Sequence, residues 1–134
     1  RWQILGAVLL TSALFGALHL GNLVEQPLAI TILQTISAFG LGLYFAVVYL
    51  YTGQLWLAML LHFLLDWLAF STSGSTAMLG NPTLADWYLL AVEVLFFTGI
   101  TIWMFLGDRY QVMERHVRRL TGENQRFGYR LTFE

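Results

Sequence analysis

Three ionisable side chains lie inside long apolar stretches of this sequence, at spacings that could support chemistry. His19 follows Phe15 by four residues in "FGALHL", and "HFLLD" places His62 and Asp66 four residues apart. Residues four apart share one face of an α-helix, so each pair would project together. Ionisable groups within membrane-spanning segments are costly and are candidates for function by default. His19, His62 and Asp66 are therefore our candidate catalytic residues.

The second pair suits more than one role. Asp66 could orient the His62 imidazole and stabilise its protonated form. Alternatively, both could ligate a metal with His19 as a third ligand, because two histidines and one carboxylate form a known catalytic zinc set. Two other interpretations stay open: a redox or transport bundle in which both histidines hold haem or relay protons, and a hydrogen-bonded packing role for each histidine.

The composition predicts the elements that must position these groups. Of the 134 residues, 57% are hydrophobic and 11% are charged, whereas a typical soluble domain is about 25% charged. After Arg1, no lysine or arginine occurs before Arg109. A membrane span needs about 20 mainly apolar residues, so the sequence predicts an integral membrane protein. Cysteine is absent, which excludes disulfides and thiolate metal sites.

We predict an all-α polytopic transmembrane bundle of about four spans, over residues 2–24, 28–51, 55–70 and 84–106, with a polar loop over 71–83. Ala38, Gly42 and Ala46 form a small-residue stripe on the second span, which would let helices approach closely. Residues 1–106 would form a membrane-embedded core, and 107–134 an arginine-rich cytoplasmic tail, by the positive-inside rule.

The tail begins with an amphipathic pattern. Over 108–120, the apolar residues Tyr110, Met113, Val117 and Leu120 recur at helical spacing. This pattern predicts a juxtamembrane helix lying on the membrane surface. His116 lies among arginines, which indicates a solvated or lipid-facing position.

Depth along the spans raises a difficulty. At 1.5 Å per residue, His19 lies about 22 Å and His62 about 10 Å from the inner ends of their spans, which run in the same direction. We therefore predict that the turn at Thr52-Gly53 dips into the membrane, with protein or water covering its backbone. Glu93 reaches about 20 Å and is a secondary candidate base, although a structural carboxylate that is protonated or paired with Ser or Thr is favoured. Asn22 could face the same cavity, but a turn role is favoured.

The stretches "LLTSALFGALHL" and "FGLGLYFAVVYLYTGQLWLAMLLHFLLDWLAF" resemble the CPBP family of intramembrane proteases, which are relatives of the type II CAAX prenyl endopeptidase and of bacteriocin-immunity proteins. The family pattern is EExxxR, then FxxxH, then HxxxN or HxxxD. Phe15 and His19 match the second motif, and His62 and Asp66 match the third. No EExxxR occurs here. We expect a fragment, and the other interpretation is an inactive relative that lacks this motif.

The resemblance implies an intramembrane metallo-endopeptidase that acts on a membrane-associated peptide or a prenylated protein. An upstream glutamate would activate water with His19 nearby, and His62 and Asp66 would stabilise the oxyanion. Zn²⁺ is the implied cofactor, with His19 and His62 as its ligands. The alternative is a non-catalytic membrane scaffold or bacteriocin-immunity protein on the same fold. We expect a prokaryotic plasma membrane, contact with membrane lipids and no nucleic-acid partner; the oligomeric state is not predicted.

Overall fold

The computed structural model describes residues 1–73 and 81–122, which form helices joined by short turns and contain no strand. The helices are α1 (Trp2–Leu18), which continues as a 3₁₀ helix (His19–Val24), α2 (Leu28–Thr52), α3 (Leu55–Ser73), α4 (Leu84–Met104) and α5 (Asp108–Leu120). The predicted all-α class is therefore confirmed. The expected loop over 71–83 begins later because α3 continues to Ser73. Residues 74–80 of that loop and residues 123–134 of the tail lie outside the described ranges.

Three segments are long and apolar enough to cross a membrane. They are Trp2–Val24, Leu28–Thr52 and Leu84–Met104, and α3 contributes a shorter apolar helix over Leu55–Ser71. The four apolar segments correspond to the four predicted spans, the third of which is shorter than a full crossing. The molecule is an integral membrane protein built as a helix bundle.

Local sequence explains where the helices begin and end. Pro27 precedes α2, and Gly53 ends it with φ 70°, a left-handed conformation that glycine adopts without strain. At the start of α4, the Asp86 amide donates to the Thr83 hydroxyl while the Thr83 amide donates to the Asp86 carboxylate at 2.6 Å. This reciprocal capping box satisfies two amide groups that the helix itself leaves unpaired.

Small residues allow α1 to lie directly against α2. A Cβ at Gly16 would lie 2.9 Å from the Thr35 carbonyl oxygen, and one at Gly42 would lie 3.0 Å from Ser12 Cα. Close approach of backbones through small residues is the packing expected between membrane helices. The predicted stripe is thus partly confirmed through Gly42, but the close approach of Gly16 on α1 to α2 was not predicted.

Gly16→Ala should destabilise the bundle, because a side chain forced against a backbone carbonyl moves α1 away from α2. Overpacking of this kind costs about 1–3 kcal/mol. The matched control is Gly6→Ala on the same helix, where a Cβ would meet nothing within 4 Å. That control should be neutral or stabilising, since alanine favours helix by up to about 1 kcal/mol over glycine. Denaturant unfolding in detergent micelles measures both, and equal midpoints for the two variants would contradict the close packing.

The apolar face of α5 packs on the bundle itself. Tyr110 and Met113 are buried in one cluster with Ile4, Val47 and Met104. Burial, followed by the nearby Glu114 charge, raises the pKa of the Tyr110 hydroxyl. The predicted helix is confirmed, but the prediction that its apolar face lies on the membrane surface was wrong for these residues. Tyr110 and Met113 pack instead on a protein surface at the end of the bundle, which the sequence pattern could not identify.

Candidate functional site

The two motif histidines are arranged around a single aromatic ring. The Phe15 ring centroid lies 5.4 Å from that of His19 and 5.3 Å from that of His62, both edge-on. Phe45 of α2 contacts Phe15 and His62 from the other side, at 6.1 and 5.7 Å. Edge-to-face pairs at such distances are favourable. The structure therefore brings His19 and His62 into one neighbourhood, with Phe15 as their shared neighbour.

The structure brings the two histidines together in a different way from the prediction, which relied on a dip of the Thr52-Gly53 turn into the membrane. Ile4, early in α1, and Val47, late in α2, pack in the same cluster. The turn at Thr52-Gly53 consequently lies beside the first turns of α1, at the end of the bundle. The Phe15 ring contacts both imidazoles and so connects the two histidines without a recess of this turn.

His19 opens the 3₁₀ helix that follows α1, and its ring is held by the preceding turn. Its Nδ1 lies 3.1 Å from the carbonyl oxygen of Phe15. A carbonyl oxygen only accepts, so Nδ1 carries the proton and neutral His19 has its lone pair on Nε2. A fixed tautomer of this kind leaves Nε2 able to accept a proton or bind a cation.

His62 and Asp66 lie one turn apart on α3, as predicted. His62 Nε2 is 3.6 Å from Asp66 Oδ2, and the Asp66 side chain is 60% exposed. This separation exceeds hydrogen-bond length, so the carboxylate acts on the imidazole as a nearby charge. His62 Nδ1 is buried and has no hydrogen-bond partner among the described residues. A buried nitrogen without a partner is uncommon, and it is the atom of this site with unused bonding capacity.

An apolar cavity of about 430 Å³ lies between α1, α2 and α3. Phe15 and His62 form part of its wall, together with aliphatic residues that include Val8, Leu50 and Leu55. Neither His19 nor Asp66 belongs to the lining. His62 is thus the ionisable motif residue that a ligand in the cavity would meet.

The described residues do not assemble the zinc set that the sequence suggested. In residues 1–73 and 81–122, no three histidine or carboxylate side chains come close enough to hold a metal ion. The imidazoles of His19 and His62 each contact the Phe15 ring edge-on.

The family of the chain follows from residues 1–68. The model of the family described as type II CAAX prenyl endopeptidase Rce1-like matches these residues. The chain belongs to this family. Comparison with curated proteins and with solved structures gave no match. The Rce1-like segment contains both histidine motifs and ends within α3, so α4 and α5 lie beyond it.

In this Rce1-like protein, Glu93 is a paired carboxylate on the far side of α2. The Ser37 hydroxyl lies 2.9 and 3.0 Å from its two oxygens. Ser37 and Tyr44 face α4, whereas Gly42 and Phe45 line the cavity. At 100° per residue, these two sets point in directions about 120° apart around α2. The serine pairing favoured from the sequence is confirmed, and the structure does not bring Glu93 to the histidines.

Asn22 has its expected place in a turn. Its carbonyl accepts from the Glu25 amide at 3.0 Å, and its side-chain amide donates to Gln34 Oε1 at 3.0 Å. Asn22 does not line the cavity. It connects the 3₁₀ helix, and with it His19, to α2 of the Rce1-like segment.

His116 is a residue that the sequence interpretation misplaced. Its Nδ1 donates to the Leu50 carbonyl oxygen at 3.0 Å, and its Nε2 lies 3.4 Å from the Cβ position of Gly53. It is therefore packed on the α2–α3 turn of the Rce1-like segment instead of facing solvent or lipid. One signal was present: His116 directly precedes Val117 and follows Met113 by three residues, which places it at the edge of the apolar face.

Proposed function

We propose that this chain carries part of the active site of an intramembrane metallo-endopeptidase of the CAAX-processing type, which hydrolyses peptide bonds of membrane-associated or prenylated substrates. The convergence of His19 and His62 on the Phe15 ring, beside an apolar cavity, is the observation that supports it most. Without that convergence, the two motifs would be unrelated histidines on separate helices.

The cavity suits the lipid part of such a substrate. Its volume falls within the range of about 300–1,000 Å³ that is usual for small-molecule sites, and its wall is almost entirely apolar. Each buried methylene of a prenyl chain would contribute about 0.8 kcal/mol. A chain held there would bring the adjoining peptide to His62.

Each site residue receives a role in this proposal. The lone pair of His19 Nε2 would accept a hydrogen bond or a proton from the attacking water. His62, with the Asp66 carboxylate as a nearby charge, would donate from Nδ1 to the carbonyl oxygen as negative charge develops there. The water-activating glutamate of the family would come from an EExxxR motif, which the printed sequence does not contain. Zinc, which would polarise the carbonyl or the water, would need ligands beyond His19 and His62.

The arginine distribution supports a topology for the proposed enzyme. Six of the seven arginines follow Leu106. Lysine and arginine concentrate on the cytoplasmic side of membrane proteins, so the proposal has α5 and the tail on the cytoplasmic side.

The test is hydrolysis by the full reading frame that contains this chain, reconstituted in liposomes. A prenylated peptide should be cleaved faster than the same peptide without its prenyl group. His19→Ala should lower the rate at least about 10²-fold, the usual scale of acid–base catalysis. Glu25→Gln, an exposed loop acid, is the control and should retain activity. An unchanged rate in His19→Ala, or an inactive wild-type protein, would instead support a scaffold or immunity function.

A further inference from the structure

At the turn between α2 and α3, one backbone carbonyl receives its hydrogen bond from a side chain of another helix. The last four carbonyls of an α-helix have no partner within the helix. At the end of α2, the Gly53 amide donates to the Tyr49 carbonyl oxygen at 2.8 Å. The Gln54 amide donates to the Thr52 hydroxyl at 3.2 Å. Leu50 receives its hydrogen bond from His116 of α5 instead, at 3.0 Å.

His116 is itself held firmly against this turn. Met113 is fully buried and Val117 packs on the same cluster, so the helix on both sides of His116 is anchored. The imidazole lies over Gly53, with Nε2 3.4 Å from the position that a Cβ would occupy there. The residue thus both donates to Leu50 and fills the space above the turn.

The turn matters because α3 has few other attachments. Of the α3 side chains that the structure describes, Ala58 is the buried one. Leu50 and Leu55, on either side of the turn, line the same cavity as His62. His62 follows Leu55 by seven residues, about 10 Å along a rigid helix. A change in the angle at the turn therefore moves His62 relative to Phe15.

We propose that His116 is a positioning residue: by fixing the α2–α3 turn, it sets where α3 presents His62 to the cavity. Helix α5 lies beyond the matched segment of residues 1–68, so the role belongs to a part of the chain that the family model does not cover. The geometric claim is independent of the proposed function, and its kinetic consequence rests on that function.

Distances between helices test the geometric claim directly. The chain has no cysteine, so spin labels can be placed at Leu10→Cys and Leu60→Cys, two exposed positions on α1 and α3. His116→Ala should shift or broaden this α1–α3 distance distribution in liposomes. His116→Asn, whose amide nitrogen takes the place of Nδ1, should restore it.

A second label pair separates positioning from general unfolding. Labels at Leu10→Cys on α1 and Leu95→Cys on α4, which is also exposed, should keep their distances in His116→Ala. An α1–α3 distribution identical to that of the wild type would overturn the proposal. So would equal broadening of both pairs without rescue by His116→Asn, because His116 would then be a residue of general stability.

Kinetics give the consequence for the proposed enzyme. A displacement of about 1 Å at a catalytic group can cost about 10²-fold in rate. We expect His116→Ala to lower kcat by up to that factor with KM nearly unchanged, since His116 does not line the cavity, and His116→Asn to recover it. An unchanged kcat would contradict the positioning role. A wild-type protein without activity would contradict the proposed function, and the distance measurements would then decide the positioning role alone.

Discussion

His62→Ala is expected to lower kcat for peptide hydrolysis by about 10²–10³-fold, the loss seen when one donor to a developing oxyanion is removed. The variant deletes the ionisable motif side chain that lines the cavity, including its buried Nδ1, which has no hydrogen-bond partner in the described part of the chain. KM should change little, because the apolar wall that would hold the substrate stays in place. Steady-state hydrolysis of a prenylated peptide by the full reading frame measures both constants.

The control for this variant is the neighbouring residue of the same helix. Phe63 is 59% exposed and does not line the cavity, so Phe63→Ala removes a larger side chain from α3 and should leave kcat within about twofold, as for surface changes within about 0.5 kcal/mol. If both variants lost activity alike, the effect would belong to α3 packing. If His62→Ala kept its rate, the assigned oxyanion role would be wrong.

Met113→Ala should be among the most destabilising single substitutions in the described part of the chain. Met113 is 0% exposed. It packs in one cluster with a residue from each of three other helices: Ile4 of α1, Val47 of α2 and Met104 of α4. Truncating a buried methionine to alanine costs about 2–5 kcal/mol, because the lost contacts leave a cavity. Unfolding by denaturant in micelles measures the loss.

Leu120→Ala provides the matched comparison on α5. Leu120 belongs to the same apolar pattern but is 65% exposed, so its truncation should change stability by less than about 0.5 kcal/mol. Similar losses for the two variants would contradict the packing of α5 on the bundle. A loss in neither would show that α5 separates from the bundle at little cost.

The spacing of apolar and polar residues was enough to predict the helices and the residues that share each face. Phe15 with His19 and His62 with Asp66 were predictable because four-residue spacing fixes their relation within one helix. The same rule predicted the α5 helix and its apolar side. These successes depend on local geometry alone.

Relations between helices were not predictable in this way. Periodicity identifies the apolar side of α5 but does not distinguish lipid from a protein surface, so the burial of Met113 and the contact of His116 with Leu50 were missed. Glu93 was placed by depth, yet depth leaves open the direction in which a side chain points around the helix axis. In the structure Glu93 faces Ser37, away from the cavity. The contact of the Phe15 ring with both histidines also depends on how the helices pack together, so the sequence pattern did not predict it.

The Ser37–Glu93 pair also bears on how the chain enters the membrane. An acidic residue within an apolar segment raises the cost of transferring that segment from the insertion machinery to lipid. The ribosome produces α2 before α4, so the Ser37 hydroxyl is already available when Glu93 emerges. We therefore expect α4 to enter the membrane more readily beside α2 than alone.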